Sequence, residues 1–596
     1  MARHGAAGTE QAKGKRRVWR YVALAAVVVV ALIAAAGAWI AYTGLQARNA
    51  LVTAADAVAG TQDALLGADV AAAQASVTEA SALTSEAASK TSDPVWKVVG
   101  ALPWIGSSPK AVTLATEAAD EVVSGSLPKF VEAAAILDVE TIKDAEGKVD
   151  LARLTPAGAT LGEAQASLSA AAETLAEVPT SGVVAPVTEG VDELNSKVEQ
   201  ALGISETASQ LLAVMPTMLG ADAPQTYFVA FQSPVEIRGT GGFLGTYGVL
   251  TVDGGELVQK DVESNNNLQR FPEPVVNLGP EYRALYGRDP ALWQNMNMSP
   301  NFPYAGIQWA TAYQLQFGQP VAGVMAVDIN ALEYLIQATG PVTAPNGKVL
   351  TADNVVQYLG NDVYFEFEDD NAARKDYLAE VATELIERVL GLDGGTGKLV
   401  QALTDSVSGG HIQLWSKDAT IQSALETTPI AGATPTAEGP YAQLVLNNGA
   451  GNKLDFYTER KLEYLAGRCE ADRRQSLVRA TLLNNVPPID QGPRYIYGRG
   501  DTSALDADPL SNRTLVYLHM PIGSGVTAVR VNGAPTTAIF GSELGHPVAL
   551  LDLELPAGTP VVVELDVVEP LSDAEPVVPV QPMIQPQETV VEWGGC

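Results

Sequence analysis

Arg238 stands immediately ahead of Gly239, Gly241, Gly242 and Gly245. Glycines let several backbone N–H groups turn toward one point, and a guanidinium adds a planar fork of donors. Together they suit a phosphate or a carboxylate. A tight turn or a bulge in a strand would use the same glycines, so the spacing leaves both readings open. Arg270 follows the glycine stretch, and Arg374 and Lys375 open a helix behind the acidic run 366–370. They extend the positive charge, although ion pairing on a helix surface is the plainer use of the last two. Asn265 and Asn297 sit in asparagine-rich loops that suit polar ligand groups, or else solvation and helix capping. Asp261 and Asp328 are candidate Mg²⁺ ligands, being hard oxygen donors. Familiar catalytic signatures are missing. The stretch GLDGGTGK (391–398) places Thr396 where a phosphate loop needs its second glycine, and no Gly-x-Ser-x-Gly elbow occurs.

Strands and helices must position these residues. Thr226–Phe231 and Phe243–Val252 read as strands, and the turn 253–255 leads into a third at Glu256–Lys260. Helical spacing follows at Phe302–Phe317, Ile329–Thr339, Ala352–Leu359 and Ala372–Leu390, with a strand at Val321–Val327. This alternation predicts an α/β core over 219–430 with helices on both faces of a sheet. Residues 45–218 carry apolar residues at helical spacing, with small side chains on the apolar faces, and predict a helical stalk or bundle. Within it, the insert 94–104 places two tryptophans near proline turns. Core packing of the rings is expected, with contact to lipid headgroups as the alternative. After a Pro- and Thr-rich linker, 440–570 alternates β-branched residues between turns and predicts a sandwich-like β module. The acidic, Pro-rich tail 571–596 ends in Cys596.

The formal net charge is −32. Residues 1–20 hold six Lys or Arg and one Glu, so the remainder carries 31 basic and 68 acidic residues, a net of −37. Such a surface repels nucleic acid and excludes that partner. Residues 21–42 carry no charge and suffice to cross a bilayer as a helix. The basic tail 1–20 lies just ahead of it, which predicts a cytoplasmic amino terminus and an extracytoplasmic bulk anchored to the cell membrane by a single span. In an oxidising compartment the two cysteines, Cys469 and Cys596, are expected to pair.

The runs MLGADAPQTYFVAFQSPVEIRGTGGFLGTYGVLTVDGGEL, NMNMSPNFPYAG and GVMAVDINALEYLIQATGPV resemble the bacterial proteins grouped as domain of unknown function 4012. The order of elements is also similar, more distantly, to the LytR-CpsA-Psr phosphotransferases. Those membrane-anchored enzymes move glycopolymers from a polyprenyl diphosphate carrier to the cell wall. That resemblance implies a LytR-CpsA-Psr-like α/β core in which Arg238, Arg270 and Arg374 stand at the diphosphate-binding positions and Asp328 ends the matching strand. Where that family continues its first Arg with Ser-Asp-Thr, this chain has Gly239-Thr240-Gly241.

The expected protein is therefore a multidomain α+β envelope protein with a transmembrane helix, a helical domain, an α/β core and a β-sandwich-like module. It is expected to bind a polyprenyl-phosphate-linked glycan, or to transfer the glycan. Arg238, Arg270 and Arg374 would carry the charge, the amides of Gly239, Gly241, Gly242 and Gly245 would hold the diphosphate, and Mg²⁺ would assist. Whether it is an enzyme is left open. The rival reading is a structural envelope protein whose helical and β parts bind a protein partner.

Overall fold

A computed structural model of the chain describes residues 10–594 apart from 67–68, 104, 139–141, 145–146, 261, 369, 391–395, 489–492, 502–507 and 509. The fold is mixed α+β and divides into two compact units, one of Met1–Asp138 with Ala152–Leu212 and one of Val139–Leu151 with Ala213–Cys596.

The first unit is helical: α1 (Glu10–Leu66), α2 (Val70–Thr91), α3 (Pro94–Gly100), α4 (Ser107–Glu121), α5 (Leu127–Ile136), α6 (Leu154–Ala176) and α7 (Ala185–Met218). Asp69 caps α2 by accepting from the Ala72 amide at 2.8 Å. Alanine and threonine fill the buried faces, among them Ala73, Ala80, Thr84 and Ala87 of α2. Small side chains let helix backbones approach closely, as the composition implies. α1 contains a helix long and apolar enough to cross a membrane, Val30–Leu65, with little of it buried. Trp96 is buried and donates from Nε1 to Thr43 Oγ1 at 2.8 Å, so this ring packs in the core as expected, while Trp104 lies outside the described residues.

The second unit holds a mixed sheet of β1 (Gln225–Ser233), β2 (Phe243–Asp253), β3 (Glu256–Gln259), β4 (Glu263–Ser264), β5 (Gly323–Asp328) and β8 (Ile412–Ser416), in the order β3-β2-β1-β5-β8 with β4 beside β2. β1 pairs antiparallel with β2 and parallel with β5, Phe228 facing Val324 and Ala230 facing Ala326. The two-residue period of a strand then sorts its side chains. Phe228, Ala230, Val324 and Ala326 enter a core with Trp293, Phe302, Trp309 and Tyr313. Val229, Phe231, Met325 and Val327 face the other way. α8 (Pro280–Tyr286) and α9 (Phe302–Phe317) precede β5, and α9 ends at Gly318, whose φ of 72° is the left-handed cap that favours glycine. α10 (Ile329–Thr339) follows β5, and α11 (Ala352–Gln357), α12 (Val363–Glu366), α13 (Asn371–Leu390) and α14 (Thr396–Ser408) complete the helices before β8. The short pair β6 (Val342–Thr343) and β7 (Val349–Leu350) lies between α10 and α11.

After α15 (Ala419–Glu426) the chain is mostly β. β9 (Gln443–Asn448), β12 (Asn512–His519), β15 (Ile539–Glu543) and β16 (His546–Leu555) form one sheet. β10 (Thr458–Glu470), β11 (Arg473–Asn484), β13 (Gly525–Val531), β14 (Ala534–Pro535), β17 (Val561–Pro570) and β18 (Gln587–Glu592) form another, and the helical turn α16 (Arg494–Tyr497) intervenes. Leu444, Leu446, Val516 and Leu551 of the first share one core with Leu462, Val478, Val563 and Leu565 of the second, as in a sandwich. The tail is more integrated than its composition implies. Gln581 and Met583 are buried, and β18 pairs in parallel with β10 from Arg460–Gln587 to Leu465–Glu592. The expected partner of Cys469, Cys596, lies outside the described residues.

Candidate functional site

The outward row of β1 and β5 does not meet a packed core. Val229, Phe231, Met325 and Val327 wall a cavity of about 410 Å³ whose other side is built by Leu332 and Leu335 of α10, Leu378, Val381 and Ala382 of α13, and Leu403 of α14. Amphipathic α10 and α13 turn aliphatic side chains toward the sheet without filling the space between. The cavity also admits polar groups: Arg374, Lys375, Lys453, Asp328, Gln232 and Ser233 line it. An apolar hollow with a few convergent polar groups is the usual form of a small-ligand site. Three of these lining side chains are cationic: Arg374, Lys375 and Lys453.

Each cation is held differently. The Arg374 guanidinium is buried and lies 4.5 Å from the ring centre of Tyr364. Lys375 Nζ donates to Asn265 Oδ1 and Asn266 Oδ1, both at 2.7 Å. Burial, with the charges of Arg374 and Lys453 nearby, pulls the Lys375 ammonium down to about 8. Lys453 comes from the loop after β9; it pairs with Glu236 and stands 5.3 Å from the ring centre of Phe243, which also lines the cavity. Because the folded value of Lys375 lies below its ordinary 10.5, its protonation opposes folding fully below about 8 and not at all above 10.5. An anion at this mouth favours the charged form, so anion affinity is expected to fall as pH rises through about 8. Binding of a phosphate-headed detergent measured on both sides of that value checks this; a flat profile contradicts it.

The remaining residues singled out from sequence are dispersed. Arg238 does not line the cavity. Its side chain is buried, donating to Asn295 Oδ1 at 2.9 Å, to the Ile237 carbonyl at 2.7 Å and to Glu236 Oε1 at 3.1 Å. Glu236 thus sits between Arg238 and Lys453. Burial pushes its carboxyl up, but the charges of Lys453 and Arg238 outweigh that and hold it below the ordinary range. Arg270 is exposed and away from the cavity lining.

The glycine amides are already used: Gly239 donates to Asn447 Oδ1, Gly241 to the Arg238 carbonyl and Gly242 to Gln232 Oε1. The stretch is a connector, not an anion cradle. It sends Ile237 into the sandwich core, with the Ile237 amide donating to Asp455 Oδ2 at 2.8 Å and the Arg238 carbonyl accepting from Gln581 Nε2 at 2.8 Å. Glycine is required by proximity, since a Cβ on Gly242 would come 2.4 Å from the Ser233 carbonyl carbon. Only Gly245 of the four lines the cavity. Asn297 Nδ2 donates to Gln232 Oε1, Thr240 Oγ1 and the Gly242 carbonyl, which fixes this loop, whereas Asn265 reaches the site through Lys375.

Asp328 lines the cavity, but its oxygens are taken. Oδ1 caps α10 at the amides of Asn330 and Ala331, and Oδ2 meets His411 Nδ1 at 2.8 Å. Burial pulls the His411 imidazole down, yet the Asp328 carboxylate outweighs this and raises it. Asp261 lies outside the described residues, and among those described no three Asp, Glu, His or Cys side chains converge. Among the described residues Asp328 is the one acid in the cavity lining, and its carboxylate already serves Asn330, Ala331 and His411. Sequence reasoning missed Lys453 as a site residue, although it lies in the stretch NKLDFY (452–457).

Residues 222–364 match the family model described as protein of unknown function, DUF4012. The match takes in β1, the connector, β5 and α10, and ends at Tyr364, ahead of all three cations. No curated protein matches the chain.

Proposed function

We propose that this chain is a membrane-anchored, extracytoplasmic envelope protein that binds a polyprenyl-phosphate-linked carrier. The prenyl chain enters the cavity between the sheet and α10, α13 and α14, and the phosphate meets Arg374, Lys375 and Lys453. One observation carries the reading: an apolar hollow of about 410 Å³ shares its lining with three cationic side chains. The apolar anchor supports a membrane ligand. Neutralising charge on a phosphate leaving group is the device that glycan transfer of the LytR-CpsA-Psr kind requires, and these cations suit it.

The test is mass spectrometry of lipids retained by the full-length protein purified from its membranes. Wild type is expected to carry a prenyl phosphate. Lys375→Ala is expected to lose most of it, and Ala382→Trp to exclude it by filling the apolar part of the cavity. No lipid in any of the three contradicts the reading and favours a purely structural protein. An extracytoplasmic location also implies an oxidising space, in which Cys469 pairs with Cys596. Non-reducing peptide mapping is expected to return both in one linked peptide, whereas two free thiols count against that location.

A further inference from the structure

We infer that the helical unit makes a second membrane contact, in which Val98, Leu102 and Ile105 enter the lipid headgroup layer beside the carboxyl end of the uncharged run 21–42 of α1. This rests on reading α1 as the anchor. The uncharged run 21–42 ends in Trp39 and Tyr42, both exposed, which are the side chains that settle at a membrane–water boundary. α3 is fastened at that same level. Trp39 Nε1 donates to Asp93 Oδ2 at 2.6 Å, and Asp93 Oδ1 caps α3 at the amides of Val95 and Trp96. Trp96 Nε1 donates to Thr43 Oγ1, and its ring lies against Gly44, where an added Cβ would touch it at 3.5 Å. Thr43 and Gly44 follow Tyr42 directly, so at 1.5 Å per residue α3 is held about 3 Å beyond the end of the run. The headgroup layer extends about 5–7 Å beyond the hydrocarbon on each side, so α3 falls inside it.

At that depth the segment presents apolar side chains outward: Val98 is 66% exposed, Leu102 44% and Ile105 61%. Three large apolar groups within eight residues are a poor surface for water and a good one for the boundary of headgroup and acyl chain. Lys97 and Lys110 are exposed at its two ends, where long stems can lie on lipid while the ammonium groups meet anionic phosphates. A helix of seven residues does not hold its shape alone in water. The Asp93 cap and the buried Trp96 hold it here, leaving the apolar side chains for the membrane. A span with a second contact beside it resists tilting, because tilt would lift Val98 and Ile105 out of lipid.

The test places a nitroxide on the full-length chain, with Cys469→Ser and Cys596→Ser, at Val98→Cys, Ile105→Cys, Leu32→Cys or Ile204→Cys, in phosphatidylcholine–phosphatidylglycerol vesicles. Relaxation by oxygen, which concentrates in lipid, is compared with relaxation by a water-soluble nickel chelate. Leu32 in the run and Ile204 on α7 are both exposed on the protein surface and serve as the lipid and aqueous references. Labels at 98 and 105 are expected to prefer oxygen, as at 32, with the preference reversed at 204. Labels at 98 and 105 that prefer nickel while 32 prefers oxygen overturn the inference and leave the anchor standing. A label at 32 that prefers nickel removes the anchor, and this inference with it. Shielding of 98 and 105 from both relaxants marks a protein contact and also overturns it.

Discussion

Glu236→Gln is expected to lower the stability of the second unit by about 3–5 kcal/mol, the usual cost of removing one member of a buried ion cluster. The carboxylate is 5% exposed, and the cations on either side of it, Arg238 and Lys453, are nearly as buried at 6% and 5%. Without its charge both guanidinium and ammonium stay in a poorly solvated place with their common counter-ion gone. The same carboxylate gives an acid dependence. Its folded pKa lies below the ordinary 4.5, so its contribution is complete above 4.5 and lost as pH falls through the folded value. Wild type should therefore lose unfolding midpoint in that acid window, and Glu236→Gln should lose less because it has no carboxylate to protonate. Denaturant unfolding of both proteins at neutral and acid pH measures this. Equal midpoints at neutral pH would show that the cluster adds nothing.

Gly239→Ala is expected to cost at least the about 1–3 kcal/mol of ordinary overpacking, because the obstruction is backbone and not a side chain that can swing aside. A Cβ there would lie 2.2 Å from the Met298 carbonyl oxygen and 2.5 Å from the Ser299 carbonyl carbon. The Asn447 side chain joins the same two segments, accepting from the Gly239 amide at 3.1 Å and donating to the Met298 carbonyl at 3.0 Å. Moving one strand of this contact breaks the other. Thermal melting and limited proteolysis of Gly239→Ala should show an earlier transition and cutting near the connector. Gly245→Ala, whose Cβ would meet nothing closer than 3.8 Å, should leave the melting temperature unchanged.

The alternation of apolar residues made the local elements legible. Helices at Phe302–Phe317 and Ile329–Thr339 stand where their periodicity places them, because Gly318 and Gly340 end them by backbone conformation alone. The glycine cluster was legible as special but ambiguous in kind. Close approach of two backbones and cradling of an anion both call for glycine, and the fold spends the Gly239 and Gly242 amides on Asn447 and Gln232. β10, thirteen residues long, carries a weak local signal, since its buried positions alternate with Glu459, Lys461 and Glu463. The cavity was legible least of all. Its wall draws on residues from Val229 to Lys453, and the pairing of Lys453 with Glu236 spans 217 positions that no local pattern connects.

The connector between β1 and β2 also bears on how the chain is made. Its polar backbone is closed off by Asn447, Asp455 and Gln581, the last of them 343 residues after Arg238. Synthesis runs from the amino end, so the sheet is made well before these partners are. Arg238 and Ile237 stay hydrated until Gln581 has been made. A nascent chain stalled short of Gln581 would thus expose an unfinished seam to proteases, so quality control could tell incomplete copies from finished ones at one place.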